Sequence, residues 1–334
     1  MFKPFLFAAG LALAATPALA GEVNVYTSRQ PELIQPIFDA FTAESGIKVN
    51  VLYAKKGLIE RLKAEGSRSP ADLYITADIA NVKAATDAGL TQPHGSPVVD
   101  EVVPAELRDA GGHWFALTTR ARVVYASKER VPDGAITTYE DLADPKWKGR
   151  ICIRPGSHSY NLSLIAAVIA HKGAAQARQW VEGLKANLAR TPQGNDRAQV
   201  KAVWAGECDL AIGNTYYMGK MLAKPDQREW AESVNVVFPV FEGGGAHVNI
   251  SGAAVTRSSP NHDDALKLVA FLLSPEAQRL YAELNYEYPV RAGVAPSDLV
   301  ASWGSFEPDT IPLTRLGELR GEALRLVGET GFDN

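Results

Sequence analysis

The chain has none of the short motifs that mark the common nucleotide enzymes and serine hydrolases. It contains no Gly-x-Ser-x-Gly elbow, no Gly-x-Gly-x-x-Gly turn and no Walker loop. Gly243-Gly244-Gly245 has no phosphate-loop lysine behind it and reads as a turn. The six histidines, His94, His113, His158, His171, His247 and His262, show no zinc spacing. Acidic residues are scattered mainly along helix faces, where solvation is the default reading. No dense basic patch is present, which argues against a nucleic-acid partner. No nucleophile–base pair stands out either, so the reading is a non-enzyme. An exported hydrolase or transferase is kept as the alternative from another class.

Cysteine is scarce, with only Cys152 and Cys208 among 334 residues. Long apolar runs are scarcer still. One opens the chain: Met1-Phe2-Lys3, then apolar residues from Phe5 to Ala15, then Ala18-Leu19-Ala20. This is the pattern of a cleaved secretory leader, with the cut after Ala20. No later stretch is long and apolar enough to span a bilayer. No lipid-anchor cysteine stands near the cut. The mature chain is therefore expected in the periplasm. Of the 34 basic residues only Lys3 falls in the leader, leaving 33 against 38 acidic residues, a net −5. In an exported chain two cysteines point to a Cys152–Cys208 disulfide, two buried thiols being the alternative. Each cysteine sits just upstream of a tyrosine that matters below.

Strands and helices alternate from the start. Glu22 to Tyr26 reads as a strand, Pro31 to Ser45 as an amphipathic helix stopped by Gly46, and Ile47 to Tyr53 as a strand. Leu58 to Glu65, Asp72 to Thr76 and Ile79 to Ala88 continue as helix, strand and helix. Such alternation predicts an α/β fold with a parallel sheet covered on both faces. The pattern changes at Trp114, where one extended stretch runs to Ser127. A strand that long can leave one sheet and enter another. Asn161 to His171 and Ala174 to Asn187 read as two helices, and Ala198 to Ala205 as another. Asn235 to Phe238 and Gly252 to Val255 are extended runs that return toward the first half. Ile311 to Val327 reads as a terminal helix. The division is a leader at 1–20, a first lobe at 21–119 with a returning segment at about 238–290, and a second lobe at 120–237 with a C-terminal segment at about 291–334.

Chemistry concentrates in tyrosines. Cys208-Asp209-Leu210-Ala211-Ile212 reads as a buried strand, and a helix starts near Met218. Tyr216 and Tyr217 stand between them, where α/β folds place ligands. Tyr160 occupies an equivalent place after the short strand Ile151-Cys152-Ile153. The alternative is that these rings only pack. His158 is read as a surface loop histidine. Phenolate is a hard oxygen donor suited to a hard, highly charged cation. Three phenolates neutralise ferric iron, and helix N-termini favour the anionic form. Calcium would instead want carboxylates. Arg120 and Arg122, two apart in the extended stretch, face one side of it. Lys220 lies one helical turn past Tyr216. Such cations fit either support for the ligands or a bound anion.

These residues resemble the ferric ion-binding proteins of bacterial ABC importers. The resemblance runs through Val25 to Arg29, Phe41 to Val49, Ser69 to Asp72, Thr119 to Val123, Tyr139 to Leu142, Gly149 to Cys152 and, most specifically, Asn214-Thr215-Tyr216-Tyr217. It implies a two-lobed periplasmic binding protein fold with a hinge and central cleft. It also implies a monomer that delivers ferric iron, Fe(3+), to an inner-membrane permease. Tyr160, Tyr216 and Tyr217 match the family's iron tyrosines, and Arg120 a residue on the anion side. The chain departs from the pattern at Gln30 and Pro31, where many members carry His and Tyr. Pro31 cannot ligate through its side chain. An exogenous oxygen donor such as carbonate is then expected to complete the shell, held by Arg120 with Arg122 or Gln30, and with Lys220 offsetting charge. The competing reading within this fold is a receptor for another anionic or organic solute.

Overall fold

The computed structural model describes residues 21–334, so the leader lies outside the described residues. Its first half repeats one unit, a strand followed by a helix. Strands β1 (Glu22–Thr27), β2 (Lys48–Tyr53) and β3 (Leu73–Thr76) are followed by helices α1 (Pro31–Ser45), α2 (Leu58–Glu65) and α3 (Ile79–Asp87). In α1, Pro31 opens the first turn and Gly46, at φ 71°, closes the last with its N–H on Thr42 O. A left-handed C-terminal residue is where glycine costs least. The helix buries Leu33, Ile34, Ile37, Phe38 and Phe41 along one stripe.

A short strand β4 (Thr91–Gln92) and helix α4 (Pro97–Val102) lead to β5 (Phe115–Ser127). Next come β6 (Ile151–Cys152), α5 (Ser159–Ala186), α6 (Asp196–Trp204), β7 (Leu210–Asn214), α7 (Tyr216–Leu222), α8 (Arg228–Glu232) and β8 (Val234–Val237). The chain closes with β9 (Val248–Thr256), α9 (His262–Leu272), α10 (Pro275–Asn285), β10 (Tyr288–Pro289), α11 (Asp298–Ala301) and α12 (Leu313–Glu329). α5 is the two helices read between Asn161 and Asn187, joined at a kink at Gly173, whose φ of 77° and ψ of 166° are not helical.

The strands run in the order β2-β1-β3-β9-β5-β7-β6, with β10 and β8 on β5 and β4 on β9. The sheet is not parallel throughout, as the alternation had suggested. Only β2-β1-β3 and β6-β7 pair in parallel, while β9 and β5 run antiparallel to their neighbours. The cause is β9, a late strand inserted between β3 and β5, which strand–helix alternation cannot foresee.

β5 carries the architecture. From Phe115 to Ala121 it pairs with β9, and from Arg122 to Ala126 it pairs with β7. Its neighbours thus change across one peptide bond. All but Thr119 of its thirteen residues are buried, which suits its run of β-branched and aromatic side chains. The fold is the two-lobed periplasmic binding protein fold, with β5 passing through its middle. α12 packs on both α3 and α5, so the C-terminal helix touches both halves.

Candidate metal site at the strand ends

β6 and β7 are parallel neighbours, Ile151 opposite Leu210 and Cys152 opposite Ala211. Their carboxyl ends therefore emerge side by side. A disulfide between Cys152 and Cys208 fastens them, with Cα atoms 5.9 Å apart, inside the range such a bond requires. α7 starts at Tyr216, directly after β7. Gly213 leaves no room for a Cβ because the Tyr125 ring lies against it. That ring donates its hydroxyl to Asn214 O at 2.5 Å, which fixes the end of the strand. α5 starts at Ser159, and His158 Nδ1 accepts from the Tyr160 N–H at 3.2 Å.

Three phenols meet as a result. The Tyr160 and Tyr216 hydroxyls are 3.2 Å apart. The Tyr216 and Tyr217 rings lie with centroids 4.3 Å apart. Tyr216 and Tyr217 are buried, and Tyr160 is partly buried. Burial raises all three phenols well above their ordinary value, and each raises another: Tyr216 acts on Tyr160, Tyr217 on Tyr216, and Tyr160 on Tyr217. Burial thus favours the neutral form of the phenols. Among the described residues no group of three His, Cys, Asp or Glu side chains is placed to hold a metal. The hard oxygens at this site are phenolic.

Four arginines surround the rings. The Arg120 guanidinium carbon stands 5.8 Å from the Tyr216 ring centre, and Arg197 5.4 Å from that of Tyr217. Arg122 at 5.8 Å and Arg154 at 5.1 Å stand over Tyr160. Arg120 and Arg122 are buried and already paired, Arg120 with Glu287 and Arg122 with Asp196. Burial pushes both carboxyls up. The arginines outweigh it and hold Asp196 and Glu287 below the usual carboxylate range. Lys220 lies on α7, half-buried, and has no ion-pair partner among the described residues. Burial pushes its ammonium down. Gln30 is the residue before α1 and makes no side-chain capping bond, while Pro31 occupies the first turn.

Two sequence readings change here. His158 is no free surface histidine: it caps α5, stacks edge-on to Tyr160 with centroids 4.6 Å apart, and is pushed down to about 3 by burial. The default of solvated acids fails at Asp196 and Glu287, which are both fully buried. Asp196 follows Asn195, which caps α6 through Ala198 N. A helix-start acid looks the same in sequence whether or not arginines converge on it, so no local signal separated them.

A two-lobed α/β scaffold with a buried donor cluster at strand ends defines a solute receptor of the exported type. The chain matches the bacterial extracellular solute-binding proteins over residues 37–308, and it belongs to that family. It is 45% identical over 323 residues to iron uptake protein A1 of Synechocystis sp., covering 96% of this chain and 90% of that one. The apo ferric ion-binding protein A of Pasteurella haemolytica superposes with a TM-score of 0.91. It is 49% identical and covers 94% of this chain and 99% of its own. The Trichodesmium protein solved in complex with iron and citrate ligands gives a TM-score of 0.87 at 42% identity, covering 93% of this chain and all of its own.

Proposed function

We propose that this chain is a periplasmic binding protein that takes ferric iron on Tyr160, Tyr216 and Tyr217 and delivers it to an ABC importer in the inner membrane. The observation that carries the reading is the meeting of three phenols at the ends of β6 and β7. Ferric iron is the substrate carried, not a resident cofactor. Three phenolates cancel its charge and offer hard oxygen donors. The names of its relatives support the same substrate. In this reading the protein works by binding rather than by catalysis.

Residues 21–119 with about 238–290 form one lobe in this proposal, and 120–237 with about 291–334 the other. The lobes close by bending where β5 changes partner and between β8 and β9. Ferric iron takes more than three ligands, so carbonate or a similar anion completes the shell. Arg120 and Arg122 face the site but already bind carboxylates. The anion therefore meets their remaining positive charge, with Lys220 closest to unpaired.

The test is optical. Iron-free protein titrated with ferric citrate should develop the visible absorbance of iron bound to phenolate. A receptor for an organic or anionic solute, or an exported hydrolase, would stay colourless, and that result would end the ferric reading.

A further inference from the structure

Two buried carboxylates near the phenols each bind two arginines. Glu287 directly precedes β10, and the pairing of Tyr288 with Thr119 sets it beside Arg120. Its Oε1 accepts from Arg29 Nη1 and from Arg120 Nη2, both at 2.9 Å, and its Oε2 accepts from Arg29 Nη2 at 2.8 Å. Asp196 repeats the plan. Its Oδ2 accepts from Arg122 Nη1 at 2.8 Å and from the Asn214 N–H at 3.0 Å, and its Oδ1 accepts from Arg154 Nη1 at 2.9 Å. The acids and their four arginines are all buried.

The two units are placed with respect to the rings. Arg120 stands over Tyr216, and Arg122 and Arg154 stand over Tyr160. Asp196 also ties the end of β7, which carries Tyr216 and Tyr217, to the chain leading into α5. With two arginines to one carboxylate, each unit keeps one surplus positive charge. Positive charge beside the rings offsets negative charge gathered at their oxygens. Charge already held in place needs no rearrangement when the ligand arrives. An arginine freed of its carboxylate would keep its charge and lose its ionic tether, leaving Arg120 on the Ser251 hydroxyl and Arg122 on the side-chain oxygens of Asn161 and Asn214.

We infer that Glu287 and Asp196 are positioning residues for the phenol cluster: each holds an arginine of β5 over a metal-binding ring, and neither touches the metal. This inference rests on the ferric reading. A third acid supplies the control. Asp209 likewise bridges two arginines, Arg130 and Arg150, but in a partly exposed setting, and Arg150 stands over Trp147 rather than over a phenol.

The experiment compares full-length mature protein with Glu287→Gln, Asp196→Asn and Asp209→Asn. Ferric affinity is measured by citrate competition, together with the position of the visible band and its dependence on added bicarbonate. Glu287→Gln and Asp196→Asn should each weaken ferric binding by about tenfold or more, as loss of a group behind a metal ligand does. Each should also shift the band and steepen the bicarbonate dependence. Asp209→Asn should lower the melting temperature and leave all three unchanged. If Glu287→Gln does not fold, the pair Arg29→Met with Glu287→Gln removes the stranded charge and still frees Arg120, so the same loss is expected. Glu287→Asp keeps the carboxylate and should recover part of the affinity. Folded Glu287 and Asp196 variants with wild-type affinity and band would overturn the inference alone. A colourless wild type would overturn the ferric reading, and the inference with it.

Discussion

Two kinds of strand-to-helix junction face each other across this molecule, and they are built for different work. β1 hands over to α1 through Thr27-Ser28-Arg29-Gln30-Pro31, where a proline opens the helix and Arg29 turns inward to Glu287. β6 and β7 hand over to α5 and α7 through segments that carry the three tyrosines. The first junction offers charge and no anionic oxygen donor. The second pair offers all the phenols and is stapled by the disulfide. The contrast is in what each junction brings: the phenols come from the β6 and β7 junctions alone, while fixed charge comes from both sides, as Arg29 with Glu287 and as Arg122 and Arg154 with Asp196.

The comparison is most exposed to pH. Burial raises the three phenols above their ordinary value, so in the proposed site iron has to displace their protons. Each proton released makes the affinity fall tenfold as pH drops by one unit. Three phenols give about a thousandfold per unit. A flat profile in citrate competition between two pH values would remove the tyrosines as ligands. The staple comes next. Cys152 and Cys208 are 56 residues apart, and opening that loop by Cys152→Ser with Cys208→Ser should cost about 4 kcal/mol in the chain-entropy model. Urea unfolding measures it, and a loss under about 1 kcal/mol would show the junctions hold together without the bond.

Single side chains sharpen the contrast further. Tyr216→Phe keeps the ring and deletes the oxygen, so iron affinity should fall more than about a hundredfold with the fold intact. Gln30→Ala, at the opposite junction, should change it by about threefold at most. Equal effects from the two substitutions would mean that both sides supply ligands.

Much of this was legible in the chain. The repeated strands and helices of the first half follow from local periodicity, and α1 carries its proline start and glycine stop in its own residues. The tyrosines were legible because they fall at the junctions after short buried strands. A late strand returning at Gly252 to Val255 was legible, but its antiparallel place between β3 and β5 was not, because it joins segments more than 120 residues apart. Glu287 was invisible for the same reason, since its partners Arg29 and Arg120 lie 258 and 167 residues away. Sequence shows what a segment prefers; it does not show which distant charge will share its burial.

The change of partners along β5 has a mechanical meaning. A joint made of loop can bend along many paths and must be ordered each time it closes, with an entropic cost. Here the joint is a single extended strand, held by β9 up to Ala121 and by β7 from Arg122. Both sides of the step are held, Arg122 N–H donating to His247 O at 2.9 Å and Ala121 O accepting from Thr215 N–H at 3.1 Å. Such a member acts as a torsion bar: its axis is set by the backbone at Ala121 and Arg122, and its travel by the sterics of those few dihedral angles. In the proposed closure, bending here together with the β8–β9 crossing is confined to a few dihedral angles, which would bring the phenols and the arginines back to register along a narrow arc.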